Sequence, residues 1–308
     1  MSALETGVGL DIVLFFHSWY LPITSGLWKF MHFAGGERGF LILLPIIYWA
    51  LNKRLGVQLF ILIMSNAIVM NVLKLFFARP RPFDVAPHLF EATVDQSGYG
   101  LPSGHVWLSV VFVGFLAFFY RTHKKIAVLA VFWIVLMSLS RMVLGVHFLQ
   151  DVILGLLMGV FGLIVFIKWH QRVFTWFEMK PILTQVLYMI VFMLLMQLMA
   201  VVLHETFEFR KSLLSASGVL IGGVLGLILD RRYLISSESN RWVIKSIKIV
   251  LGLILLIGLY VLMSMIFYRV FNDTQTLIAN LIYQLRYVCL GVWVTFMIPW
   301  LFSKIQKF

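Results

Sequence analysis

Residues 102–151 read PSGHVWLSVVFVGFLAFFYRTHKKIAVLAVFWIVLMSLSRMVLGVHFLQD. Two apolar runs, near 105–120 and 126–141, are separated by a short basic turn with Arg121, Lys124 and Lys125. Such a pair crosses an apolar layer and returns, so the start of the first run and the end of the second share one side. On that side lie Pro102-Ser103-Gly104-His105 and Ser140-Arg141, with His147 and Asp151 just beyond. This reading decides the fold class, an all-α polytopic bundle of membrane helices with chemistry-bearing residues at the helix ends.

Composition agrees. Of 308 residues, 61% are hydrophobic and 12% charged, against about 25% charged in soluble domains, and the mean hydropathy is +0.97. Apolar segments run approximately 39–51, 55–77, 105–120, 126–141, 148–167, 182–203, 213–229, 247–268 and 285–302, which predicts about nine spans. Segment 10–33 is aromatic-rich, broken by Pro22 and Gly26 and succeeded by Gly35-Gly36. It is expected to lie at the interface or to re-enter. Two parts are expected: 1–170, which holds every motif, and 181–308, a membrane extension with no comparable cluster. Pro181 is a natural helix start between them. Met1 to Gly9 carries Glu5 and no basic residue, so it lacks the charged start of a secretory signal peptide.

The net charge of +12 would suggest nucleic acid in a soluble protein. Here the cations occupy loops between apolar runs, which excludes that partner and points to the bilayer. One set of loops holds Lys53, Arg54, Arg121, Lys124, Lys125, Lys168, Arg172, Lys180, Arg231, Arg232, Arg241, Lys245, Lys248, Lys304 and Lys307. The alternate loops hold Lys29, Arg38, Arg210, Lys211, Arg269 and Arg286, leaving motif cations aside. Fifteen against six makes the first set cytoplasmic and the motifs extracytoplasmic. The single cysteine, Cys289, excludes an intramolecular disulfide and cysteine metal sites, and is expected to be a small packed side chain.

Three patterns carry chemistry: K-x6-R-P (Lys74, Arg81-Pro82), P-S-G-H (102–105) and S-R-x5-H-x3-D (Ser140-Arg141, His147, Asp151). Pro80 and Pro82 cannot continue the second span, so Arg79 and Arg81 stand beyond its end. Lys74 and these arginines either meet a phosphate at the membrane surface or snorkel to lipid headgroups. Loop 83–101 is long enough to be functional. Ser103 and Gly104 either cap a helix or bind an anion at its N-terminus, and the two are compatible. His105 can protonate a leaving oxygen. Asp151, four residues after His147, either orients that ring or caps a helix; in an apolar segment it needs a partner in both cases.

In order and without a substituted position, these patterns resemble the type 2 phosphatidic acid phosphatase family, which also contains lipid diphosphatases and vanadium haloperoxidases. The resemblance covers residues up to about 170. It implies that His147 attacks phosphorus to form a phosphohistidine, with Asp151 orienting it. It also implies that His105 protonates the leaving group and that Lys74, Arg81, Ser103, Gly104 and Arg141 hold the phosphoryl oxygens. No metal and no cofactor are implied. The substrate would be a lipid phosphate or diphosphate: a prenyl diphosphate, phosphatidate, phosphatidylglycerophosphate, lipid A phosphate or sphingoid phosphate. In a bacterium, undecaprenyl diphosphate at the periplasmic face of the inner membrane is the first expectation, on family frequency. The extra C-terminal spans resemble the sphingosine-1-phosphate phosphatase branch, with no matched motif. Haloperoxidases are disfavoured, since they are not built from membrane spans.

A phosphotransferase using the same site, and a lipid transporter or flippase with a phosphate-binding site, are the rival readings. The other histidines read as unrelated: His17 and His32 as interfacial packing, His123 and His170 as cytoplasmic-side residues, His88 and His204 as unmatched. Asp84, Glu91 and Asp95 read as solvated loop acids, and Glu205, Glu208, Arg210 and Lys211 as a charged loop. The orientation is testable in a Cys289→Ser background. Cysteine at Gln96 should react with a membrane-impermeant maleimide from outside intact cells, and cysteine at Thr122 only after permeabilisation; the reverse pattern would invert the topology.

Overall fold

With no water in the hydrocarbon layer, the backbone must satisfy its own hydrogen bonds, and every regular element among the described residues is helical. The computed structural model describes residues 7–90, 93–203, 206–233, 242–271 and 273–305. Glu5, Glu91, His204, Glu205, Arg241 and Lys307 fall outside these ranges. The chain forms α1 (Val8–His17), α2 (Pro22–Gly35) and α3 (Glu37–Ile46), which runs on through a π-helical turn (Ile47–Leu51). Next come α4 (Lys53–Phe77), the short α5 (Pro82–Val85), α6 (Gly104–Phe119), α7 (Lys124–Val143) and α8 (Leu149–Glu178). The remainder forms α9 (Ile182–Leu203), α10 (Phe207–Tyr233), α11 (Trp242–Val270), α12 (Leu277–Val292), a second π-helical turn (Trp293–Met297) and α13 (Ile298–Ile305).

Among the described residues, seven stretches are long and apolar enough to cross a membrane: α4 with α5, α7, α8, α9, α10, α11, and α12 through α13. The bent pair of α2 with α3 and its π-helical turn, at 63°, makes an eighth if it is one broken span. The expected count of about nine is not reached by this measure, for two reasons. Segment 39–51 is the second arm of the bent pair. Segment 105–120 is α6, whose 16 residues reach only ~24 Å against a hydrocarbon core of ~30 Å.

The chain divides into two compact units. The first comprises residues up to Leu41 together with Val69–Arg172, and it contains every motif residue. Its core draws on the broken N-terminal segment. Met31 of α2 is buried with Val106, Val110, Met137, Met142 and Val152. Trp28 joins Val143, Leu144 and Val146, and Val13 of α1 joins Ala86, Phe90 and Phe148. The apolar faces of α1 and α2 therefore back the loops that lead out of α4 and α7. His17 is a packing residue, its Nδ1 2.8 Å from the Val143 carbonyl.

The second unit comprises Ile42–Ile68 and the residues from Val173 onward. Gly218, Gly222 and Gly226 recur every fourth residue along α10. A Cβ at these positions would collide with Gln284 O, Val288 O and Thr295 Oγ1 respectively. Helices lacking a hydrophobic drive to associate rely on such close backbone approach. Polar side chains join the same contact: Gln197 donates to Gln284 (2.9 Å) and Gln284 to Ser217 Oγ (2.8 Å). Segment 42–68 belongs here through Tyr48 Oη to Thr295 O (2.9 Å), Trp49 Nε1 to Val294 O (2.9 Å) and the Lys53–Asp230 ion pair (2.7 Å).

Three sequence expectations change in this unit. Glu208, Arg210 and Lys211 lie in the first turns of α10 rather than in a loop, and Arg210 is buried there. Arg286 is not a loop cation: it is buried within α12, its guanidinium 4.5 Å from the Tyr283 ring centroid and 4.8 Å from that of Tyr287. Removing it from the loop count leaves the charge bias in the same direction. Cys289 lies exposed on α12 rather than packed. Substituting Gly222 by Leu should force α10 off α12 and cost at least about 1–3 kcal/mol, lowering Tm in detergent. Gly258→Leu, where an added Cβ meets nothing within 4 Å, should leave Tm unchanged. Equal shifts in both variants would contradict the close-packing account.

Candidate active site

Helix α4 stops where its sequence stops it. Ala78 takes a left-handed φ of 47°, a C-terminal geometry that costs a non-glycine residue roughly 1–2 kcal/mol, and Pro80 and Pro82 prevent continuation. The chain then turns Arg81 inward, to 2% exposure. Its Nε donates to Gly98 O (2.6 Å), and its NH2 to Tyr99 O (3.0 Å) and Ser97 O (3.3 Å). Its NH1 donates to Val146 O (2.9 Å) and His147 Nε2 (3.1 Å). Lys74 shares one of these acceptors, its Nζ donating to Tyr99 O (2.6 Å) and Gly100 O (3.4 Å). Lys74 and Arg81 are thus turned onto the end of loop 83–101, whereas the Arg79 side chain is exposed. Asp84 is no free loop acid: its carboxylate accepts from the Arg81 backbone N–H (2.9 Å) at the start of α5.

Ser103 holds the N-cap position of α6, yet its hydroxyl makes no capping bond. It is completely buried, and its Oγ has no hydrogen-bond partner among the described residues. Its backbone N–H donates to Asp151 O (2.9 Å), tying the P-S-G-H turn to the first turn of α8. Gly104 packs closely: a Cβ there would stand 2.6 Å from Met70 Sδ, so the end of that side chain would have to shift, and 3.8 Å from Lys74 Cε. His105 donates through Nε2 to the His32 carbonyl (3.1 Å).

Arg141, in the last turn of α7, is also wholly buried. Its Nε donates to Ser140 Oγ (3.0 Å) and its NH1 to His32 Nδ1 (3.2 Å), while its NH2 has no partner among the described residues. After it, Gly145 takes φ 66°, and Val146 N–H returns to Arg141 O (3.1 Å). That turn delivers His147 just ahead of α8 rather than on it. Asp151 reaches back, and its Oδ2 accepts from both His147 Nδ1 (3.2 Å) and Phe148 N–H (3.0 Å). Orienting the ring and capping the helix, alternatives from sequence alone, are done by one oxygen.

Donor logic fixes the His147 tautomer. A carboxylate only accepts, so Nδ1 carries the proton; a guanidinium only donates, so Nε2 presents its lone pair. Burial, then the Arg81, Lys74 and Arg141 charges and His105, holds the His147 pKa well below its ordinary 6.5. The ring is neutral at pH 7, as a nucleophile requires. Among the described residues, no three His, Cys, Asp or Glu side chains are grouped as metal ligands would be.

The eight residues singled out from sequence therefore fall in one unit, joined by these contacts. The sequence reading missed two contributions. One is the set of carbonyls at Ser97, Gly98, Tyr99 and Gly100, which no side-chain motif reveals. The other is His32, assigned to interfacial packing but bonded to Arg141 and stacked on His105, with ring centroids 4.9 Å apart. Its signal was its place just before the Gly35-Gly36 break.

Helices of membrane-spanning length that carry a cluster of buried cations and paired histidines define the class, an integral membrane protein. Residues 55–175 match the PAP2 superfamily and residues 214–307 match the PAP2 superfamily phosphatase, transmembrane extension, so the chain carries a PAP2 superfamily domain followed by that extension. A probable sphingosine-1-phosphate phosphatase from Dictyostelium discoideum is 32% identical over 145 residues, 43% of this chain and 35% of that protein. An undecaprenyl-diphosphatase from Sulfolobus acidocaldarius is 27% identical over 158 residues, 50% of this chain and 76% of that one. The chain thus spans about a third of the length of the Dictyostelium relative. The crystal structure described as the first transmembrane PAP2 type phosphatidylglycerolphosphate phosphatase, from Bacillus subtilis, superposes with a TM-score of 0.45 at 20% identity, over 58% of this chain and 92% of that one.

His147 also makes stability depend on pH. The unfolded chain binds its proton near pH 6.5 while the fold resists it, so this contribution is complete above pH 6.5 and is lost as pH falls from there towards the folded pKa. Thermal unfolding from pH 7.5 to 5 should show a shallower loss in His147→Asn than in wild type, by up to about 1.4 kcal/mol per pH unit. Parallel profiles would contradict a ring held neutral.

Proposed function

We propose that this chain is a membrane-integral lipid phosphatase that hydrolyses a lipid phosphate or diphosphate at the non-cytoplasmic face, through a phosphohistidine at His147. The observation that carries the reading is the pairing at His147: Nδ1 is locked on Asp151 while the Nε2 lone pair faces the Arg81 guanidinium. A phosphoryl group entering there gives an oxygen to the guanidinium and its phosphorus to Nε2. The unpartnered Arg141 NH2 and Ser103 Oγ supply further donors, and Lys74 adds charge. Preorganised donors of this kind favour the charge of a phosphoryl transition state.

In the first step Nε2 forms a bond to phosphorus as the phosphorus–oxygen bond to the lipid breaks. The departing oxygen takes a proton from His105, which must enter this step as the imidazolium, the form a bound phosphate dianion favours; Nε2–H stays on the His32 carbonyl, Nδ1–H goes to the leaving oxygen, and the ring is left neutral. Water then attacks phosphorus and gives its proton to His105 Nδ1, restoring the imidazolium, as the Nε2–phosphorus bond breaks and phosphate leaves. The carriers of these steps lie within 1–170; segment 181–308 is assigned none of them. The charge bias of the loops supports the extracytoplasmic side. The Dictyostelium and Sulfolobus relatives are named for phosphorylated lipids, which supports that substrate class.

The test is phosphate release by purified protein in nanodiscs, with chelator present, across a panel of lipid phosphates and diphosphates. Release should persist with chelator and fall at least about 10³-fold in His147→Ala. Abolition by chelator would overturn the metal-free route. Lipid movement without release, unchanged in His147→Ala, would instead mark a transporter, and transfer to a second lipid a phosphotransferase.

A further inference from the structure

Of everything packed around the candidate site, α2 is the least expected. It precedes the family-matched residues 55–175, yet Met31 and Trp28 are buried in the core beneath the site and His32 touches two of the proposed reacting groups. Three contacts are made by this one residue. Its Nδ1 accepts from Arg141 NH1 at 3.2 Å. Its carbonyl accepts from His105 Nε2 at 3.1 Å. Its ring stacks on that of His105, with centroids 4.9 Å apart and planes at 19°.

We infer that His32 is a positioning residue for phosphoryl transfer, fixing the guanidinium of Arg141 and the ring of His105 relative to each other. The inference rests on the phosphatase reading of the site. A guanidinium has three nitrogens. On Arg141, Ser140 Oγ takes Nε and His32 Nδ1 takes NH1, so the plane is set and only NH2 is left without a partner among the described residues. Because Arg only donates, His32 Nδ1 must be the acceptor, and the neutral His32 ring carries its proton on Nε2. His105 is restrained along its edge by the His32 carbonyl and across its face by the His32 ring, which leaves its Nδ1 for proton transfer. Two groups that must act on opposite parts of a phosphoester, one on phosphoryl oxygens and one on the leaving oxygen, are thereby referenced to a single residue. A displacement of about 1 Å in such groups can cost ~10²-fold in rate.

The contacts are separable by substitution. His32→Asn keeps an acceptor close to the place of Nδ1 but removes the stacked ring. His32→Phe keeps the ring but removes the acceptor, and His32→Ala removes both; the backbone contact to His105 survives in all three. Two readouts are needed: affinity for inorganic phosphate, which reports Arg141, and the ratio of kcat on an aryl phosphate to kcat on an alkyl phosphate, which reports acid catalysis by His105.

His32→Ala should weaken phosphate binding about tenfold and lower kcat/KM on the alkyl ester about 10–100-fold. His32→Asn should recover phosphate affinity while its aryl-to-alkyl ratio stays raised. His32→Phe should recover the ratio but not the affinity. Three variants with wild-type affinity and ratio, or a parallel loss in both readouts that tracks a lowered Tm, would overturn the positioning role. His147→Ala serves as the control for the underlying reading. Should the wild type release no phosphate from any ester, the phosphatase reading fails, and phosphate affinity alone decides the Arg141 half: weakened in His32→Phe and restored in His32→Asn upholds it, and no difference ends it.

Discussion

Three cations, Lys74, Arg81 and Arg141, share a buried site with one carboxylate, Asp151. That imbalance is the constraint on which the first unit is built. Removing an ion from water costs several kcal/mol unless its hydrogen-bonding groups are met. They are met almost entirely by neutral acceptors: backbone carbonyls for Arg81 and Lys74, a serine hydroxyl and an imidazole for Arg141. Carbonyl dipoles stabilise a cation without cancelling its charge. The site is therefore solvated from within yet still positive, the state in which it can take a phosphate dianion. Asp151, which also holds His147 Nδ1, is one negative charge against three positive ones.

The same constraint explains why the loops have their form. The end of loop 83–101 is wrapped on Arg81 and Lys74 by its carbonyls, and the left-handed turn at Gly145 brings the Val146 carbonyl to Arg81 and His147 to Asp151. Arg81 is thus a folding centre for two loops before it is anything else. A lysine in its place could not reach Ser97, Gly98, Tyr99, Val146 and His147 together, because it lacks the planar fork.

Sequence is legible where the physics is local. Span positions are written in consecutive apolar residues, and the site residues in short patterns beside helix-breaking prolines and glycines, so Lys74, Arg81, Ser103 and Asp151 could all be read. His32 could not, since its meaning depends on α2 packing against α6 and α7, a contact between residues more than seventy positions apart. The span count of about nine is not reached at α6 for a related reason: hydropathy shows that a run is apolar, not where the turns before Gly104 and after Phe119 cut it. The loop placement of Arg286 failed because aromatic faces on neighbouring turns and helices can house a guanidinium inside a bundle. Likewise the affiliation of 42–68 with the C-terminal residues depends on Tyr48, Trp49 and Lys53 finding partners far along the chain.

The short α6 has one more consequence. Its first turn carries His105, and its rise of ~24 Å falls about 6 Å short of an average hydrocarbon core. Either the lipid around this helix thins or the start of the helix sits recessed below the headgroup plane, at a cost of fractions of a kcal/mol per Å. On the proposed lipid phosphatase reading, and with α6 crossing the bilayer, acyl-chain length would set how far a headgroup must sink to meet Ser103 and His105. On that reading the thickness of the membrane, and not only the identity of the headgroup, would decide which lipids reach the site.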